Sequence, residues 1–361
     1  MNILALAGDA GGARALIPVI RRLRSMPEVT EACRAYAVAT QIWEAAGLAP
    51  ADVAPVALSG VERVILGTSI ADEPWELRYI QRARAASVPT VSVMESWVHY
   101  RERFTDSQGT FILPEKIAVM DERARGEMVG AGFPAECLVV TGQPAFDALA
   151  PYREPAVQQR SRDRLQRWDH GLARPLYLLY VSQPLSQLAA NRGLGYHEAD
   201  VLPMVIDALE CVLERRAVSA VLLVKLHPRE TSAAAPRPRS GSRRLAVTVV
   251  PDGEMERLEL AAGSDLVIGM NSILLMEACL LKRPVVSFQP NLQVDDVLPS
   301  NRHGWSRAVY RQDELERALE EELFDAGARE ARRRTLEAIQ PPEGATERVA
   351  ELLMAQERIR C

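Results

Sequence analysis

Short apolar runs of four to eight residues, bounded by Gly, Pro or Asp, alternate with longer segments of helical periodicity from one end of the chain to the other. A chain patterned this way repeats strand and helix, and each helix crosses over a parallel sheet to reach the next strand. The pattern predicts strands at Asn2–Ala7, Arg34–Ala39, Arg63–Leu66, Val88–Met94, Lys116–Met120 and Leu138–Thr141, with helices at Ala13–Arg24, Glu73–Ala86 and Glu122–Ala131 between them. It then starts again. Strands are expected at Leu176–Val181, Ala220–Leu226, Ala246–Val250, Leu266–Gly269 and Val285–Phe288, and helices at Ala199–Arg215, Met255–Ala262, Ser272–Leu281 and Gln312–Phe324. The fold class is therefore α/β, in two halves.

The length agrees, since 361 residues suffice for two domains of roughly 150 residues each. Pro151 and Pro155 flank a polar stretch, and Pro175 precedes the first strand of the second series. We therefore expect a first domain over residues 1–152, a linker over 153–174 and a second domain over 175–340. Pro341 and Pro342 then break the chain before a last helix at about Thr346–Ile359, in the terminal segment 341–361. The Pro-, Ser- and Arg-rich segment Thr231–Arg244 reads as a mobile surface loop.

With 48% hydrophobic and 25% charged residues, the composition excludes a disordered or collagen-like chain. Residues 1–150 carry 14 basic and 18 acidic side chains, and the remainder 29 and 30, for a net charge of -5. Without a basic half, nucleic acid is not an expected partner. Arg160, Arg162, Arg164 and Arg167 invite peripheral membrane contact, but acids stand among them, and a solvated helix face is the better reading. Cys33, Cys137, Cys211, Cys279 and Cys361 are scattered, with no Cys-x-x-Cys pair, which argues against a zinc site and a disulfide framework and fits a reducing cytoplasm. Met1 leads straight into an apolar strand with no basic leader, and no run approaches the ~18 apolar residues of a membrane span. The expected location is cytoplasmic.

In an open parallel sheet ligands bind beyond the carboxyl ends of the strands, so the residues just after each strand are the ones to read for chemistry. After the first strand comes Gly8-Asp9-Ala10-Gly11-Gly12 at the start of a helix. Small residues there let a ligand approach the backbone, and the free N–H groups of the helix start favour an anion; a tight turn without a ligand is the other reading. This is not Gly-x-Gly-x-x-Gly, and no acidic residue clearly closes the second strand, so nicotinamide binding is disfavoured. Glu95 ends the Val88–Met94 strand beside Trp97, where it reads either as a general base with a raised pKa or as an acid at a helix start. Gln143, in Gly142-Gln143-Pro144, should face the same edge.

In the second half, Ser182-Gln183-Pro184 follows the first strand and Lys225-Leu226-His227-Pro228-Arg229 ends the second. Lys225, His227 and Arg229 are three phosphate donors within five residues. Gly269-Met270-Asn271-Ser272 leads from strand into helix, with Asn271 or Ser272 as N-cap and exposed amides as a second anion seat. Glu277 interrupts the apolar helix that follows. It must be paired there, either with ribose hydroxyls or with Arg229 or Lys225. Gln289 and Asn291 form a polar loop after the last strand of the second series, and Asp295-Asp296 reads as a solvated loop.

These residues resemble the GT-B architecture, two facing Rossmann-like domains with a cleft between them and a C-terminal crossover helix. The likeness is to the group that includes UDP-N-acetylglucosamine 2-epimerase, lipid-A-disaccharide synthase and bacterial capsule glycosyltransferases. It implies that the second domain binds the nucleotide, that the first binds an acceptor, and that the helix after Pro341-Pro342 packs back on the first domain. Asn271-Ser272 and Glu277 look like the element that holds phosphate and ribose. His227-Pro228 and Gln183-Pro184 are similar to motifs of capsule transferases that use CMP-activated keto sugars, which leans the nucleotide towards cytidine. Two departures matter. Gly11-Gly12-Ala13 stands where some transferases have Gly-Gly-His, leaving Asp9 or Glu95 as base, and Ser182-Gln183-Pro184 stands where the epimerases have a basic run.

The resemblance therefore implies a glycosyltransferase working in the cleft, with a nucleotide sugar as substrate, no tightly bound cofactor and no metal. The alternatives are a nucleotide-sugar 2-epimerase or hydrolase, a CDP-glycerol-type phosphotransferase, and a non-catalytic subunit that binds a nucleotide sugar.

Overall fold

The computed structural model describes residues 1–53, 58–70, 74–187, 193–230, 242–340 and 343–355. Pro341, Pro342, most of the Thr231–Arg244 segment and the chain beyond residue 355 lie outside the described residues. The chain divides into two compact units, one formed by Met1–Ala148 with Pro342–Cys361 and the other by Leu149–Pro341.

The first unit is built on strands β1 (Asn2–Ala7), β2 (Thr30–Ala35), β3 (Ala51–Asp52), β4 (Arg63–Leu66), β5 (Thr90–Val93), β6 (Lys116–Val119) and β7 (Leu138–Val140). Among the described residues they form one parallel sheet in the order β3-β2-β1-β4-β5-β6-β7. The helices are α1 (Ala10–Arg24), α2 (Val38–Ala45), α3 (Trp75–Ala85), α4 (Glu122–Gly130) and the single turn α5 (Pro144–Asp147). Helix α1 buries Ala13, Leu16, Val19, Ile20 and Leu23. That three- and four-residue spacing makes one apolar face, in the same core cluster as Ile3, Ala5, Ile65 and Val91 of the sheet.

The second strand differs from expectation. It covers Thr30–Ala35 rather than Arg34–Ala39, because Asn2 pairs with Thr30 and Ala7 with Ala35. Ala37 then turns with φ +49°, and Val38 already belongs to helix α2. The apolar run that suggested a later strand straddles a strand end and a helix start.

The second unit has helices α6 (Pro155–Leu165), α7 (Glu198–Arg216), α8 (Arg257–Gly263), α9 (Ile273–Leu280), the single turn α10 (Pro299–Arg302), α11 (Leu315–Phe324) and α12 (Ala326–Ala338). Its strands are β8 (Leu176–Val181), β9 (Ala220–Lys225), β10 (Leu245–Val249), β11 (Leu266–Gly269), β12 (Val285–Phe288) and β13 (Arg307–Val309), in the order β10-β9-β8-β11-β12-β13. The stretch expected as a linker, 153–174, instead holds α6, started by Pro155 and docked on α8. Arg162 donates to Asp265 Oδ1 (2.7 Å), and the α6 backbone comes so near Gly263 that a Cβ there would meet Arg162 N at 2.9 Å.

The last helix, α13 (Ala345–Met354), returns to the first sheet. Val349, Ala350 and Leu353 are fully buried in the core cluster that holds Leu16, Val19 and Leu23. Asp147 accepts from the Thr346 N–H at 2.7 Å, and Arg348 Nε donates to Thr141 O at 2.7 Å.

Both sheets reverse direction after their first strand. In the first the switch lies between β1 and β4, in the second between β8 and β11. A doubly wound sheet opens a crevice at such a point, outside the carboxyl ends of the strands.

Candidate functional site

In the first unit, the β1–α1 turn lies at the switch. Gly12 has to be glycine, since a Cβ would come to 3.0 Å from both Thr68 N and Thr68 O in the turn after β4. A Cβ on Gly11 would reach 2.6 Å from Glu95 Cγ. The two glycines thus serve close packing of α1 against the ends of β4 and β5.

Glu95 sits at the end of β5 and is 6% exposed. Its carboxylate accepts from the Arg103 guanidinium and from Thr68 Oγ1 (2.6 Å), and Arg103 also donates to Thr68 Oγ1 (3.0 Å). Burial pushes the Glu95 carboxyl above the usual range, against the pull of Arg103 and the Thr68 hydroxyl. Gln143 Nε2 donates to Glu95 O at 3.1 Å, so Gln143 is buried in this assembly. Trp97 Nε1 donates to Asp121 Oδ2 (2.8 Å), and its ring stacks on Phe146 at 6.3 Å.

Asp9 stands on the other side of the turn, half-buried, with Oδ2 accepting from Ile70 N–H (2.9 Å) and its own N–H donating to Ser69 Oγ (3.0 Å). Behind it lies a carboxylate that the reading of strand ends missed. Glu76, on α3, is 2% exposed and accepts from the hydroxyls of Tyr36 and Ser69. Burial pushes its carboxyl up to about 7 although both hydroxyls hold it down, and the Asp9 charge adds to the rise. Burial raises the Tyr36 phenol as well. A signal existed in the sequence, because Glu76 lies on the face of α3 that carries Ile80 and Ala83.

In the second unit, three of the sequence motifs meet at the ends of adjacent strands β9, β8 and β11. Across the switch, Gln183 Oε1 accepts from Asn271 N–H at 3.1 Å. Ser272 caps α9, its Oγ accepting from Leu274 N–H (3.3 Å). His227 Nδ1 accepts from Arg229 N–H (3.1 Å), which makes Nε2 the protonated nitrogen of the neutral ring. Glu230 ties the β8 and β9 ends together by accepting from Ser182 Oγ (2.8 Å) and His227 N–H (2.7 Å).

Four residues stand differently from the sequence reading. Lys225 gives its ammonium to Asp252 Oδ1 (2.9 Å) and Leu226 O (3.1 Å). Glu277 is 1% exposed, and its partner is neither Arg229 nor Lys225 but Arg257, whose two terminal nitrogens grip the carboxylate. Asp296 does not sit in a solvated loop. It accepts from Gln289 Nε2 (3.0 Å), Asn301 Nδ2 (2.6 Å) and Tyr310 Oη (2.7 Å), while neighbouring Asp295 is exposed. Gln289 is consequently buried inside that network rather than lining an edge. Asn291 is exposed at φ +59°, with its N–H donating to Tyr310 O (2.7 Å).

Among the described residues no group of three or more His, Cys, Asp or Glu side chains is arranged to hold a metal ion, and no helix is long and apolar enough to cross a membrane.

No family model and no curated protein matches the sequence. Solved structures do match its fold. A UDP-GlcNAc 2-epimerase from Neisseria meningitidis, bound to UDP-GlcNAc, superposes with a TM-score of 0.68 at 13% identity, covering 99% of this chain and 100% of that one. HepE from Anabaena, in complex with UDP, gives 0.60 at 14% identity over 99% and 100% of the two chains. MurG from Acinetobacter baumannii gives 0.55 at 14% over 98% and 99%. The chain has the GT-B fold. Its two Rossmann-like domains carry the 7- and 6-stranded sheets described above. The lean to cytidine finds no support among these GT-B neighbours, two of which hold uridine nucleotides.

Proposed function

We propose that this GT-B chain is a glycosyltransferase that moves a sugar from a nucleotide sugar, held at the carboxyl edge of the second sheet, to an acceptor hydroxyl held at the edge of the first. One observation carries the reading. The Gln183–Asn271 bond spans the switch between β8 and β11, beside His227 at the end of β9, so one polar edge gathers all three motifs.

The start of α9 offers the N–H groups of Ser272 and Ile273 to a phosphate, and the Nε2–H of His227 adds a donor for the charge that develops on the leaving group. Arg229, two residues on, supplies the positive charge. Glu277, buried with both oxygens held by Arg257, anchors α9 rather than meeting the ribose itself. For the base we assign Asp9. It is half-buried, whereas Glu95 is sealed beside Arg103 and holds the Gly11–Gly12 turn in place. The nucleotide is taken to be uridine, on the strength of the ligands in the similar structures.

Calorimetric titration with UDP, CMP, CDP, GDP and TDP tests this. UDP should bind, and His227→Ala should weaken it by about tenfold, the equivalent of about 1.4 kcal/mol. Failure of every nucleotide to bind overturns the reading. The likeness to 2-epimerases favours a second reading, in which the donor itself is epimerised or hydrolysed. Consumption of UDP-GlcNAc with no acceptor present would select it.

A further inference from the structure

Four carboxylates are buried among the described residues. Glu95, Glu277 and Glu322 each face an arginine, namely Arg103, Arg257 and Arg332. Among the described residues Glu76 has no ion-pair partner, and its carboxylate accepts from the hydroxyls of Tyr36 and Ser69 and from its own backbone N–H. A buried carboxylate without a cation is costly, and the proposed chemistry does not use it. We propose that Glu76 is a positioning residue for Asp9, seating the Asp9 turn through Ser69 when it is ionised and releasing that turn when it takes a proton.

The argument lies in the direction of the hydrogen bonds. With Glu76 ionised, Tyr36 Oη and Ser69 Oγ both donate to it, which leaves the Ser69 oxygen to accept the Asp9 N–H at 3.0 Å. The next residue, Ile70, closes the turn by donating to Asp9 Oδ2 at 2.9 Å. A protonated carboxyl keeps one good acceptor and gains a donor, so one hydroxyl must reverse. If Ser69 reverses, its oxygen has to accept from both Glu76 and Asp9, and the hydroxyl hydrogen leaves the carboxyl group. The only change of composition is one proton taken from solvent.

Among the described residues, the groups around Glu76 come from three places: Tyr36 after β2, Ser69 after β4 and Asp9 at the start of α1. Strand β5, on which α3 packs, brings no charged residue, and Arg78 and Arg82 of α3 lie on its exposed face. Because burial lifts the Glu76 carboxyl to about 7, the switch would operate near neutral pH.

This inference rests on Asp9 as the base, so its test uses two readouts on the whole chain. The first is release of UDP from UDP-GlcNAc in the presence of whichever acceptor from a saccharide panel supports turnover, as a function of pH, where kcat of the wild type should fall about tenfold per unit on the acid side, below a midpoint near 7. In Glu76→Gln that limb should vanish while KM stays within about twofold. The second is the amide resonance of residue 9 in the 15N-labelled protein, which should titrate with that midpoint in the wild type, at a lower one in Asp9→Asn, where the Asp9 charge no longer adds to the rise, and not in Glu76→Gln. An amide that still titrates near 7 in Glu76→Gln overturns the proposal. If the amide behaves as expected but Asp9→Asn keeps full turnover, the positioning role stands and the base assignment falls. Should Glu76→Gln not fold, Tyr36→Phe removes one donor, and both midpoints should then rise by about one pH unit; unchanged midpoints overturn the proposal.

Discussion

Glu76 and Glu95 are both buried within the first unit, yet they behave as different kinds of residue. Glu95 is neutralised by Arg103 and works as a fixed pin. Glu76 has no such partner among the described residues, and its ionisation weighs on stability. The folded chain holds that proton up to about 7, whereas the unfolded chain loses it near 4.5. Between those values the native state binds more protons, so stability falls as pH rises, and the full cost is present above 7. Glu76→Gln removes this slope. Urea midpoints measured from pH 4.5 to 8 should therefore diverge, with the variant gaining on the order of 3 kcal/mol over the wild type at the alkaline end. Parallel curves would refute the expectation.

At this scale, legibility depended on distance from a strand end. Asp9, Glu95, Gln183, His227 and Asn271 each follow a strand directly, where the fold places ligand-facing residues. Arg103, Ser69 and Arg257 reach their partners from loops or helices, and Tyr36 directly follows β2, whose end the sequence pattern places four residues too late. Nothing in their spacing announces Arg257 against Glu277, 20 residues away.

Among the elements, α13 shows how a short helix can matter more through its buried face than through its charges. Leu353 is fully buried in the core cluster shared with α1, whereas the Arg22–Glu347 pair, which joins α1 to this helix, is half-exposed. Leu353→Ala should cost about 2–5 kcal/mol in the denaturant midpoint. Glu347→Ala should leave the midpoint nearly unmoved, as screened pairs usually do. Equal losses in the two variants would contradict this account.

Elements with strong apolar runs between Gly, Pro or Asp were readable to within a residue or two. Strands β1, β4, β8, β11 and β12 have the bounds expected from sequence. Strand β2 was misplaced because its polar start, Thr30-Glu31, resembles a loop. The two-residue β3 and three-residue β13 are too short to show any period, and α12 is so polar that Leu336 is its one buried residue.

For the whole molecule, the fold class was open to reading because both halves repeat one rule, a first strand in the middle and later strands added on either side. The division of the chain was harder. Proline and polar composition pointed to a linker at 153–174, but Arg162 and Arg164 make ion pairs with Asp265 and Glu259 that fasten this segment to the second unit. The two units also differ in continuity. Leu149–Pro341 is one uninterrupted stretch with its own core, so a fragment of those residues should fold and, under the proposed function, bind UDP with the affinity of the whole chain. A 1–148 fragment lacks α13 and should unfold at lower denaturant than the same fragment supplied with the peptide 342–361. No difference on adding the peptide would count against the role given to that helix.

That discontinuity also sets an order of manufacture. The ribosome finishes residue 148 and then makes 193 more, Leu149–Pro341, before it reaches the segment that completes the first core. At roughly 5–20 residues per second, the newborn N-terminal half waits about 10–40 s with the apolar face of α1 uncovered. During that interval this half of the molecule is the natural client of a chaperone.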